Sequence, residues 1–230
     1  MTSVGRTHES RSVRSGTPPA NSHRNRGRRT RDRAGKQGAL IQAALKLFAT
    51  KGYEATTTRE IAASAHCAEG LIHRYFGGKA GLLSALIEHQ FFKEIADLGR
   101  ELQPASNFQA EFIQLVDWEV ERFWQTQDLR KVLISRSFVD PTVAQVMKRS
   151  GISVRSEAIL ERLQRYPCCS SLPREQLEVL AQAVGMLGLV FGFMRPLVLG
   201  QDRVSAKRMA LTVARMLVRG ATSSAGDQFS

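Results

Sequence analysis

The chain has 230 residues, 43% hydrophobic and 23% charged, with a formal net charge of +12. This is ordinary globular composition, and the length suffices to bury a core without metal or disulfide staples. Cys67, Cys168 and Cys169 are too few and too oddly placed for a disulfide framework, which points to a reduced, cytoplasmic protein. The charge is uneven: residues 1–36 hold ten Lys or Arg against Glu9 and Asp32, so that segment carries +8 of the +12. The basic balance therefore describes the tail more than the folded part. Residues 1–36 contain no apolar run for a secretory signal and lack the Leu, Ile and Phe of an amphipathic transit peptide. The longest strongly apolar run, residues 179–194, has 16 residues, short of the ~20 that span a bilayer; no membrane partner is expected.

In chain order, residues 1–36 read as a disordered basic extension, rich in Ser, Thr, Pro, Gly, Asn and Arg. Helical periodicity starts at Leu40 and runs through Ile41, Ala44, Leu45 and Phe48, with Lys51-Gly52 as its stop. Thr57 with Glu60 three residues on fits a capping box for a short second helix ending near Ser64. A break at Ala65-His66-Cys67 precedes a third helix from about Ala68 to Tyr75, stopped by Phe76-Gly77-Gly78. Lys79 opens a fourth. Longer helices follow: 108–125, 129–139, 142–166 with a kink at Gly151, 173–195 after a loop at 167–172, and 204–219. Pro173 suits a first helical turn, and Pro196 marks an end. No stretch alternates with period two, so the chain is all-α.

Three short helices and a fourth, with a tight break between the second and third, form a helix-turn-helix arrangement. A recognition helix must protrude from a small core into a groove about 12 Å wide. Ile61, Ala62, Ala65, Leu71, Ile72, Tyr75 and Phe76 can anchor it, leaving Thr57, Thr58, Glu69, His73 and Arg74 outside. Over about residues 38–90 the chain resembles the TetR family of bacterial transcriptional regulators. The residues that carry the resemblance are Ile41, Ala44, Leu45, Phe48, Gly52-Tyr53, Thr56-Thr57, Ile61-Ala62, Ala65, Gly70-Leu71-Ile72, Tyr75-Phe76, Lys79 and Leu82-Leu83. Beyond residue 90 only length and helical character match.

The resemblance implies a homodimer that binds a double-stranded DNA operator with its third helix and holds a small-molecule effector in its second domain. Residues 37–84 would be the helix-turn-helix domain, 85–222 the ligand-binding and dimerisation domain, and 223–230 a flexible tail. Carried over by position, Thr57 would cap the second helix and meet a phosphate. Thr58, Ala68, Glu69, Leu71, His73 and Arg74 would lie on or beside the reading face, and Tyr75 and Lys79 would hold phosphates. Departures from the family pattern are His66 where Gly is usual, Ala68 at the usual Ser or Thr cap, Leu71 for Thr, His73 for Tyr, and acidic Glu69 where a base is common. No cofactor is implied.

Several features admit two readings. The tail is either a solvated extension or, through Arg28 and Arg29, an arm for a narrow minor groove. Ala181, Gly185, Gly188 and Gly192 share one helix face. With Met209 and Val213 they suit a dimer seam, or else an intramolecular contact or room for ligand. Phe112, Trp118, Phe123, Phe138, Met147, Phe191 and Met194 supply core or line an apolar pocket. Glu119 and Arg136 either orient a ligand or snorkel at the surface. His66-Cys67 and Cys168-Cys169 read as turn and loop residues rather than metal or redox sites. No nucleophile elbow, P-loop, dinucleotide fingerprint or zinc-protease motif occurs, which excludes the familiar enzyme classes. The alternative to a ligand-gated repressor is a helical architectural DNA-binding protein without an inducer.

Overall fold

A computed structural model describes residues 21–226, and within that range every regular element is helical. The helices are α1 (Asn21–Lys51), α2 (Thr58–Ser64), α3 (Gly70–Phe76), α4 (Lys79–Glu101), α5 (Phe108–Gln125), α6 (Gln127–Ser137), α7 (Pro141–Val146), α8 (Val154–Leu163), α9 (Arg174–Leu187), α10 (Arg195–Leu197) and α11 (Arg203–Gly226). A π-helical segment, Met147–Ser153, joins α7 to α8, and another, Gly188–Met194, joins α9 to α10. A short 3₁₀ helix spans Pro167–Ser171.

The two expected termini differ from the sequence reading. The first helix begins at Asn21 rather than near Leu40. Its packed half, with Leu40, Ala44 and Phe48 buried, supplies the costly nucleus, and each further residue then adds a hydrogen bond. Arginine is a good helix former, and an Asp32–Lys36 ion pair of 3.1 Å supports the extension at i, i+4 spacing. At the other end α11 reaches Gly226, past the expected tail boundary. The expectations for residues 1–20 and 227–230 lie outside the described residues.

Two cores share α4. One gathers Leu40, Ala44, Phe48, Ile61, Ala62, Ile72, Leu82, Leu83, Leu86 and Ile87, and extends to Leu129, Leu133, Val143 and Val146. The helix-turn-helix unit thus packs directly on α6 and α7. The second core is built from α5, α8, α9 and α11. The expected boundary at residue 84 falls inside one continuous helix, Lys79–Glu101, which serves as a rigid strut through both cores. The π segment Met147–Ser153 occupies the expected kink. There a Cβ on Gly151 would lie 2.5 Å from the Phe91 ring, so glycine lets this rod approach α4.

The helix through Arg174–Leu197 has 24 residues and contains an 18-residue stretch of mean hydropathy 1.8, long and apolar enough by composition to cross a membrane. The 16-residue run within it falls short alone, and the flanking turns supply the extra length. Half of the apolar stretch is buried in the fold. It packs on α5 and α11.

Three of the four small residues of that helix, Ala181, Gly188 and Gly192, turn inward, which for them favours the intramolecular contact over the dimer seam. A Cβ on Gly192 would stand 2.4 Å from the Val120 carbonyl oxygen, and one on Gly188 2.5 Å from Glu119 Cγ. Ala181 is buried in the second core. Gly185 borders a cavity, and a Cβ there would meet nothing within 4 Å. Gly188 and Gly192 therefore allow close approach to α5 within the chain. Gly192→Ala is expected to destabilise by about 1–3 kcal/mol through overpacking, whereas Gly185→Ala should stabilise by roughly 0.5–1 kcal/mol. Urea unfolding of the two variants checks the opposite signs.

Candidate functional site

The start of α2 and its turn into α3 are fixed by local bonds, the turn by the Cys67 amide donating to the Ala62 carbonyl at 2.9 Å. Thr57 accepts a hydrogen bond from the Glu60 amide at 3.2 Å, and Glu60 accepts from the Thr57 amide at 2.9 Å, completing the capping box. Lys51 and these Thr57 bonds hold the Glu60 carboxyl down at about 2. His66 takes φ 51° at the position where the turn requires a left-handed residue. Gly77 ends α3 at φ 76°. A Cβ on Gly81 would fall 1.7 Å from the Phe76 carbonyl oxygen, so only glycine allows α4 to start against the end of α3.

On α3, Ile72 is buried while His73 and Arg74 are exposed, as are Ala68 and Glu69 before it. Leu71 and Tyr75 are half-buried, packed on the first core. Thr57 is exposed and Thr58 half-buried at the start of α2. The Thr58 hydroxyl donates to Glu69 at 2.6 Å, so Glu69 braces the two helices. The Arg33 guanidinium lies 5.3 Å from the Tyr75 ring centroid, which brings the extended α1 beside α3. Arg28 and Arg29 fall within the α1 helix.

Lys79 does not extend outward. Its ammonium lies 4.3 Å from the Tyr53 ring centroid and donates to the Glu54 carbonyl at 3.4 Å. Burial holds its pKa below the ordinary lysine value. Arg136 of α6 meets the same pair, 4.7 Å from the Tyr53 ring and 2.5 Å from the Glu54 carboxylate. Arg136 thus ties α6 to the turn that precedes α2, not to a ligand.

A cavity of about 290 Å³ lies between α4, α5, α6, α8, α9 and the Met147–Ser153 segment. Its apolar wall includes Phe91, Phe123, Leu133, Ile134, Met147 and Leu189, and its polar groups are Arg130, Arg155, Ser156 and Gln182. Both arginines are buried. Arg130 donates to Glu94 with two contacts of 3.1 Å and to Thr126 at 2.8 Å. Arg155 pairs with Glu94 and Glu119. Burial pushes the Glu119 carboxyl up to about 7 against the pull of Arg130 and Arg122.

The sequence model described as bacterial regulatory proteins, tetR family, matches residues 40–86. Residues 40–86 thus carry a domain similar to the DNA-binding domain of that family. An uncharacterised helix-turn-helix-type transcriptional regulator of Bacillus subtilis is 48% identical over 48 residues, 21% of this chain and 25% of that protein. A helix-turn-helix-type transcriptional repressor of Mycobacterium tuberculosis is 45% identical over 51 residues, 22% of this chain and 27% of the repressor. The matches therefore span about a quarter of these relatives' length. A TetR-family regulator from Pectobacterium atrosepticum shares the fold, with a TM-score of 0.63 at 15% identity over 83% of this chain and 95% of that one.

Phe123 and Met147 border the cavity. Phe112 is instead wholly buried in the second core, and Phe191 packs there too. Trp118 sits beside that core and donates to Glu101 at 3.1 Å. Phe138 is 84% exposed and Met194 39% exposed, both outside the cavity lining. Phe138 lies in the turn that follows α6, and Met194 ends the Gly188–Met194 segment on its outer side, placements that composition does not reveal. Glu119 is 1% exposed, so the surface reading fails for it. Arg130, Arg155 and Glu94 escape a sequence reading because lone charges in amphipathic helices look like a solvated face. Cys169 is a core residue, and burial pushes its thiol up to about 12.

Glu119 titrates from an ordinary 4.5 in the unfolded chain to about 7 in the folded one. The folded state binds the extra proton, so stability should fall as pH rises between these values. Carboxyls with lowered pKa, such as Asp97 and Glu111, act in the more acidic range. Urea midpoints of Glu119→Gln, measured from pH 5 to 7.5, are expected to lose that downward slope.

Proposed function

We propose that this chain is a ligand-responsive transcriptional regulator, a repressor that binds a palindromic operator as a homodimer and leaves it when a small effector fills the cavity. It would work on DNA in the cytoplasm, and its relatives are regulators rather than enzymes. The observation that carries the reading is the placement of α6. Arg130, Leu133 and Ile134 of that helix line the cavity, and Arg136, one turn on, grips Tyr53 and Glu54 beside the reading unit. A ligand that prefers one position of α6 would bias the orientation of α3, which is a coupling between two sites.

His73 and Arg74 are the exposed side chains of α3 suited to reading base edges. Arginine makes a bidentate contact to guanine worth about 1–3 kcal/mol. Thr57 and Tyr75 suit phosphates. Lys79 would have to leave Tyr53 to do so. The pairing surface would be the outer face of the last two long helices. Val179, Met186 and Val190 are exposed there, with Met209 and Met216 exposed and Val213 half-exposed on α11. Such an unpartnered apolar surface marks an association site.

Nuclease footprinting of the purified protein on its own upstream DNA, against non-specific competitor, is expected to show a protected palindrome. Arg74→Ala should weaken that binding at least tenfold without changing thermal stability. Binding that competitor abolishes would favour an architectural protein instead.

The basic start of α1 would add a second contact. Arg31, Arg33 and Lys36 are exposed on it, and Arg33 lies beside Tyr75. Removing residues 1–36 is expected to lower affinity and flatten the dependence of log affinity on log salt, because fewer counterions are released. An unchanged slope would sink this role for the arm.

A further inference from the structure

We propose that the cavity accepts a compact carboxylate, its head on Arg130 and Arg155 and its apolar body among Phe91, Phe123, Leu133 and Met147. The inference rests on the reading of this cavity as the effector site and names the chemistry of the occupant.

Both guanidiniums line the cavity, from different helices, and both are buried. They converge on one ring: Arg130 lies 3.6 Å and Arg155 5.9 Å from the Phe123 centroid. Aromatic contact of this kind fixes a planar guanidinium in orientation. They also converge on one counter-ion, since Glu94 faces both. The second carboxylate, Glu119, reaches Arg155 but leaves its Oε2 buried without a hydrogen-bond partner. Arg130 uses Nε and Nη2 in its hydrogen bonds, and Nη1 is the donor these leave over.

The charge balance decides the sign of the ligand. Burial pushes the Glu119 carboxyl up to about 7, which weakens the negative charge it sets against Arg155 and leaves Glu94 as the carboxylate that faces both arginines. An anion entering the cavity completes this balance, a cation worsens it, and a neutral molecule does neither. The same cluster that fixes these helices also lines a cavity, where buried charged groups are candidates for ligand recognition.

The walls decide the rest. With mostly apolar lining, the cavity desolvates a ligand body and, beyond the two arginines, offers only the neutral side chains of Ser156 and Gln182 to a second polar group. A volume of about 290 Å³ lies at the lower end of ligand pockets, about 300–1,000 Å³. This fits one planar anionic head, matched by the guanidinium fork, on a short aliphatic or single-ring body.

The test is calorimetric titration of the full-length protein with two matched series: octanoate, octanamide and octylamine, then benzoate, benzamide and benzylamine. At least one carboxylate is expected to bind ten or more times tighter than its amide, with the amine weakest. Arg130→Met should remove this preference in protein that retains its helical circular dichroism. Amides or amines that match the carboxylates, or no binding by any of the six at millimolar concentration, would overturn the proposal without any variant. Footprinting with the same carboxylate keeps the two readings apart. Selective binding that leaves an operator occupied supports the ligand class while counting against effector-driven release. Release by the amide alone supports an effector site while overturning the ligand class.

Discussion

Four carboxylates and four guanidiniums are buried among the described residues: Glu94, Asp97, Glu111 and Glu119 with Arg122, Arg130, Arg155 and Arg162. No one of them is tolerable alone, since an isolated buried charge costs far more than a domain's net stability. They must therefore meet, and their meeting fixes the helices that carry them. Glu94 and Asp97 bring α4 to α6, α8 and α5 through Arg130, Arg155 and Arg122. Glu111 holds Arg162 at 2.7 Å and the Tyr166 hydroxyl at 2.9 Å, joining α5 to the end of α8. Apolar packing fills the space between helices, but it is indifferent to sliding in a way that paired charges are not.

The same requirement explains why a cavity survives in the centre. Arg130 and Arg155 hold the inner ends of α6 and α8 at distances set by Glu94, and the glycines at 151, 188 and 192 let the backbones close up beside them. The π segments at Met147–Ser153 and Gly188–Met194 lie in these same rods. Such segments are frequent at functional sites. The space left over is bounded by rings and aliphatic chains that cannot collapse onto the charged cluster without stranding it. Close packing and charge pairing together keep the cavity open.

α4 and α6 transmit this arrangement toward the reading unit. The first helical turns of α4 belong to the core of the helix-turn-helix, and its later turns carry Glu94 and Asp97. α6 carries Arg130 at one end and Arg136 at the other. The Tyr53 and Glu54 turn therefore feels both the reading helices and α6. Lys79 shares that turn, so a residue suited to phosphate is instead part of the joint in this conformation.

The all-helical class, the helix-turn-helix and its capping box are legible in the residues alone. These are local: they follow from spacing, from the hydrogen bonds of one turn and from the steric limits of single residues. A break in the α-helical run at Gly151 is legible in the same way, and a π segment stands there. Which face of each helix turns inward is not, and the folded packing settles it. The Gly188 and Gly192 stripe serves α5, Phe112 and Phe191 serve the core, and Phe138 lies outside, although all look equivalent as apolar or small residues at helical spacing. Rotation about a helix axis depends on what packs on every side, and the buried ion pairs that set it join residues 25 to 51 positions apart. No local pattern records such separations, which is why the charged floor of the cavity emerges only when the chain is folded.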